Sequence, residues 1–168
     1  FPREDLKIEE NNILAAKINT LEQTLEKLIG LSNSSSRKGE LGEKILEEYI
    51  NEKYKNTNYI DMSQVNHCGD AWLKFDDLNH NIMIEVKNYS NRINKDEIIK
   101  MQNDMITNNI NWGLFLSFNS SICNYKDFDI DTFNHQGKTF TIVMIANLSH
   151  DIDRIDMGLQ ILRKLYQN

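Results

Sequence analysis

The stretch Ile82-Met83-Ile84-Glu85-Val86-Lys87 limits the fold more than any other part of this 168-residue chain. Its apolar residues suit a buried central strand. Period-two alternation sends Ile84 and Val86 to one face and Glu85 and Lys87 to the other. Charges inside such a strand are costly unless they are paired or bound to a metal. An ordinary solvated strand face is the competing reading. If the strand is central, the chain builds a sheet around it and a polar site beside it.

The surrounding pattern supplies that sheet. From residue 37 the periodicity predicts a helix over 37–55, with Leu41, Ile45, Leu46, Tyr49 and Ile50 on its apolar face. Strands follow over 59–65, 71–75 and 82–87, then a helix over 95–109 and a strand over 113–118. Residues 119–137 read as a polar loop, 139–146 as a β-branched central strand, and 151–166 as a closing helix. Aspartates in the first turn of that helix, and Arg163 and Lys164 in its last, suit its dipole. The order αβββαββα interleaves strands and helices around one mixed sheet, an α/β layered architecture.

Residues 1–31 form a separate segment, read as one helix from residue 4. Leu14, Ile18, Leu21, Leu25 and Leu28 recur at alternating steps of four and three, with Asn11 in the same register. Two readings fit this short heptad seam: a helix packed on its own domain, or a coiled coil that joins two copies into a homodimer. Gly30 and the serine-rich run 32–36 mark a linker, so the second domain spans 37–168.

Composition removes some classes of function. Apolar residues make up 40 % and charged residues 26 %, enough for a packed core. No run approaches the roughly 20 apolar residues that span a bilayer, so no membrane partner is expected. The chain opens on Phe1 without a secretory leader, which reads as a fragment or processed product. The two cysteines, Cys68 and Cys123, build no disulfide framework and no zinc spacing, which points to a reducing intracellular compartment. The net charge of −6 counts against simple electrostatic DNA binding. A local basic groove, or metal ions bound by carboxylates, would offset it.

Chemistry concentrates in the hairpin over 69–87. A turn centred between Leu78 and Asn79 would set Asp70 opposite Lys87 and Trp72 opposite Glu85. Asp70, Glu85 and Lys87 would then share one face. Two carboxylates so placed suit Mg2+, with Mn2+ as a substitute, and a metal of this kind activates water and polarises a phosphoryl group. Lys87 would help deprotonate that water or stabilise developing charge. His67 and Gln102 are accessory candidates, against a polar strand end and a solvated face. Lys74, Lys95 and Lys100 are candidate phosphate contacts, against plain solvated surface. Trp72 either stacks on a base or is buried, and Ser117 ends a strand near the site.

Gly69-Asp70, fourteen intervening residues and Glu85-Val86-Lys87 together resemble the signature of the PD-(D/E)XK nucleases, with Gly in place of the usual Pro. The core order of that family, αβββαβ, is the order read above. Gly39-Glu40-Leu41-Gly42-Glu43 resembles the first-helix segment that carries a metal-site glutamate in many members, with Glu43 the better match. Lys100 and Asp104 resemble positions on the following helix of viral and restriction-endonuclease-like members. The resemblance implies a restriction-endonuclease-like fold and Mg2+-dependent cleavage of duplex or branched DNA. Asp70 and Glu85 would be ligands, Glu43 a further site residue, and Lys87 base or charge stabiliser. Because the family includes inactive members, a module that only binds DNA or protein stays open.

Overall fold

The computed structural model describes residues 2–32 and 35–168, with side-chain surroundings for 7–25 and 37–168. The chain divides into two units, residues 1–38 and 39–168. The first contains helix α1 (Pro2–Ser32). Its seam residues Leu14, Ile18, Leu21 and Leu25 are 57 %, 49 %, 63 % and 56 % exposed. Of the expected linker, Ser32 ends α1, and Ser35 and Ser36 open α2 (Ser35–Lys53). Asn33 and Ser34 lie outside the described residues.

Helix α2 begins in the first unit and continues into the second, where it leads to β1 (Thr57–Asp61), β2 (Ala71–Phe75), β3 (Asn81–Lys87) and α3 (Lys95–Asn108). Then come β4 (Trp112–Ser117), β5 (Phe128–His135), β6 (Lys138–Ile145) and α4 (Arg154–Gln167). The strands form one mixed sheet in the order β1-β2-β3-β4-β6-β5. β1, β2 and β3 are antiparallel neighbours, while β3, β4 and β6 run parallel and β5 returns antiparallel on β6. The unit is a mixed α/β layer structure, as its periodicity implied.

Both faces of the sheet are covered. Leu46 and Ile50 of α2, with Ile155, Leu159 and Leu162 of α4, pack on Ile84, Val86, Leu114, Leu116, Val143 and Ile145. Across the sheet, Ile98, Met101 and Met105 of α3 pack on Met83, Phe115, Ile142 and Met144. Each fully buried side chain of this size stabilises the fold by roughly 1.5–3 kcal/mol. The α2 backbone comes close to the sheet at Gly42, where an added Cβ would stand 3.2 Å from Val86 and 3.3 Å from Phe118. That approach brings the next residue, Glu43, towards the end of β3.

Helix α3 follows from local signals. The Asn94 side chain accepts a hydrogen bond from the Asp96 N–H, and Asp96 and Glu97 occupy the first turn. Asn109 closes it in the left-handed conformation, with its N–H on the Met105 and Ile106 carbonyls.

Three boundaries differ from expectation. The loop expected over 119–137 contains β5, which pairs with β6 along its whole length. Its residues are mostly exposed or half-buried because it is the sheet's edge strand, so its polar groups stay in water. The first strand ends at Asp61 rather than Val65, and α4 begins at Arg154 after a 3-10 turn at Leu148–His150. Among the described residues no helix is long and apolar enough to cross a membrane.

Candidate active site at the end of the central strand

The approach to β2 is set by Gly69, at φ +69°. A Cβ there would lie 2.9 Å from Met83 Cγ and 3.1 Å from the Ile84 carbonyl oxygen. Both the left-handed backbone and the close contact require glycine. Gly69→Ala is therefore expected to lower unfolding stability by about 1–3 kcal/mol. A denaturant midpoint equal to wild type would show that the turn relaxes without strain.

Asp70 follows with its N–H on the Ile84 carbonyl (3.0 Å), and its Oδ2 accepts from the Val86 N–H (2.7 Å). The carboxylate is thus pinned beside Glu85. This corrects the expected register. Ala71 pairs with Ile84 and Trp72 with Met83, so Trp72 does not face Glu85 and Asp70 does not face Lys87. The turn closes earlier than expected because the Leu78 N–H donates to the Phe75 carbonyl (3.0 Å) and Leu78 packs against the core. The displacement is two residues, an even number, so Glu85 and Lys87 keep their face.

Glu85 and Lys87 are 5 % and 8 % exposed. Lys87 Nζ stands 2.9 Å from Glu85 Oε1 and 2.9 Å from Glu97 Oε2 on α3. Burial disfavours the ammonium, yet the two carboxylates outweigh it and raise the Lys87 pKa above its ordinary value. Lys87 Nζ also lies 5.6 Å from the centre of the Tyr89 ring. Burial first, and then the Glu85 carboxylate, push Asp70 up to about 7, against the opposing Val86 N–H. Burial, followed by Asp61 and then Glu85, raises Glu43 as well.

Asp70 lies between two cavities. One, of about 420 Å³, is lined by Glu40, Glu43, Glu47, Asp61 and Asp70, with Lys44 and Tyr59. The other, of about 140 Å³, includes Asp70, Glu85, His67, Lys100 and Asp104. His67 Nδ1 is 3.4 Å from Asp104 Oδ1, and its side chain is 77 % exposed. Among the described residues, no three His, Cys, Asp or Glu side chains gather as a metal-ligand cluster.

The other candidates separate. Lys100 is exposed and lines the smaller cavity with Asp70 and Glu85. Lys95 is exposed at the start of α3, and Lys74 is half-buried at the far end of β2, opposite Asn81. Gln102 is half-buried on α3 and lines neither cavity. Trp72 donates its indole N–H to the Cys68 carbonyl (2.7 Å) and lines a different cavity, with Trp112 and Tyr166. Ser117 is buried and donates to the Ser120 carbonyl (2.7 Å), a structural bond. Sequence reasoning missed Glu97, because an acid in the first turn of a helix already has a sufficient cause in the helix dipole. It also missed Asp61, which an isolated strand end does not single out.

No protein-family model matches this sequence, and no curated protein is significantly similar to it.

Proposed function

We propose that residues 39–168 form a metal-dependent endonuclease of the restriction-endonuclease-like PD-(D/E)XK class, acting on duplex or branched DNA. One observation carries this reading. Asp70 is pinned at the end of the hairpin beside Glu85, both line an open cavity, and the buried Lys87 is ion-paired to Glu85 behind it.

The residues fit a hard divalent cation. Burial and the neighbouring Glu85 raise the proton affinity of Asp70, and a cation there would relieve that repulsion. Asp70 and Glu85 would hold Mg2+, or Mn2+ in its place, a mode in which water and substrate phosphates complete the shell. Bound there, the ion would supply Lewis-acid charge for water activation and for the phosphoryl group. Lys87 is held as a cation, which supports charge stabilisation on the phosphate oxygens rather than proton abstraction. Lys100, exposed at the smaller cavity, would meet a neighbouring phosphate. Glu43 would add negative charge from the α2 side. The exposed heptad seam of α1 supports a homodimer, which would present two such sites to one DNA.

A second reading draws on the larger cavity, whose five carboxylates face a single lysine. Such a surface repels a polyanion and suits a nuclease-fold module that binds a protein partner instead.

Incubating duplex and branched DNA with Mg2+ or Mn2+ separates the two. The wild type is expected to cut, and Glu85→Gln to cut about a hundredfold more slowly or less. Robust cleavage that Glu85→Gln leaves untouched would sink the site assignment. Failure of the wild type on every substrate would favour the binding module.

A further inference from the structure

We infer that α1 pairs with α1 of a second copy as a parallel, in-register, two-stranded coiled coil. The pairing itself is independent of the nuclease reading; only its consequence for DNA rests on that reading.

The exposed seam assigns heptad positions. Asn11, Ile18 and Leu25 take position a, and Leu14 and Leu21 take position d. All four of these apolar residues are exposed, at 49 % for Ile18 and 63 % for Leu21 at the extremes. Over its described side chains, residues 7–25, the helix keeps this apolar stripe in water, without the packing that normally stabilises helices. Ile8 and Ile13, also exposed, fall off the seam.

Three features commit the partner to a second copy in one orientation. Ile18 at a, set between Leu14 and Leu21 at d, favours two strands over three or four. A single Asn at a suits a parallel dimer, because Asn11 then meets its own counterpart and the two amides can pair. In an antiparallel dimer an a residue meets a d residue, so the Asn11 amide would face leucine and stay unsatisfied. Finally, Lys17 falls at g and Glu22 at the following e. In a parallel, in-register dimer g of one helix meets that e of the other, so symmetry creates two Lys17–Glu22 pairs.

Orientation decides where the second units go. A helix of 31 residues is about 46 Å long. A parallel pair sends both chains onward from the same end, with helix axes roughly 8–10 Å apart. An antiparallel pair would send them onward from ends separated by the helix length. The parallel arrangement starts both copies of the 39–168 unit from one end of the pair, which on the nuclease reading offers two sites to one duplex.

Charge exchange tests this on the full chain, by sedimentation across the micromolar range. Lys17→Glu and Glu22→Lys are each expected to weaken self-association about tenfold, since two attractions become two repulsions. An equimolar mixture of the two variants is expected to recover wild-type association as a heterodimer, because every cross-pair is then attractive. Asn11→Val is expected to admit trimers or larger species. A wild type that stays monomeric overturns the pairing. A dimer whose association neither charge variant weakens, or whose mixture shows no heterodimer preference, overturns the parallel register. A wild-type trimer or tetramer overturns the two-stranded form. No DNA or metal enters these measurements, so their failure is distinct from a failure to cleave.

Discussion

Asp70→Asn is expected to lower Mg2+-dependent cleavage at least about a hundredfold while making the metal-free protein more stable at pH 8. In the fold, burial and then Glu85 push the Asp70 carboxyl up to about 7, from 3.8 when unperturbed. Between those pH values the folded chain holds the proton and the unfolded chain has released it. Stability is therefore greatest below the unfolded value, declines as pH rises through the window from about 4 to about 7, and stays low above it. Asn does not titrate, so the variant lacks that decline. The two proteins should unfold alike near pH 4 and differ on the order of 3 kcal/mol at pH 8, the variant being the more stable. Mg2+ should reverse the ranking by favouring the ionised carboxylate, raising the wild-type melting temperature more at pH 8 than at pH 5. Thermal unfolding against pH, with and without Mg2+, checks both signs. A variant less stable than wild type at pH 8 would show that the Val86 bond outweighs the like-charge repulsion. A Mg2+ shift equal in both proteins would place the ion elsewhere.

Lys87→Met carries the second large effect. The ammonium is 2.9 Å from carboxylates on β3 and on α3, and the Glu85 side chain is only 6 % exposed. Methionine keeps the length and removes the charge, leaving Glu85 buried without its cation. Breaking a buried pair from one side costs about 3–5 kcal/mol, which corresponds to a fall of about 10 °C or more in melting temperature. Adding Glu97→Gln should recover part of this loss, with a coupling of about 1 kcal/mol or more in the double-mutant cycle. Calorimetry of the four proteins measures it. A melting temperature within a degree or two of wild type would mean that the site is solvated enough to leave both carboxylates indifferent to Lys87.

Much of this unit can be read along the chain. Alternation in 82–87 separates Glu85 and Lys87 from Ile84 and Val86 whatever the neighbours are, because side-chain parity is a local property of extended backbone. The helical spacing of Leu46 and Ile50, and of Ile155, Leu159 and Leu162, likewise marks the faces that cover the sheet. Edge strand β5 escaped because its pairing with β6, not its own hydrophobicity, makes it a strand. Gln102 and Trp72 were candidates because spacing limits a side chain to a face without saying which neighbour fills it.

Local periodicity was thus enough to set the order of most elements, the faces of the central strand and the two charges that it carries inward. Tertiary structure alone decided that Asp70 stands at Glu85 rather than at Lys87, and that Glu97 closes the ion pair from α3. The reason is the range of the forces concerned. Alternation and capping act within a few residues, whereas register depends on how the turn at Leu78 packs. The second partner of Lys87 depends on where the crossover from β3 to β4 lays a helix on the sheet.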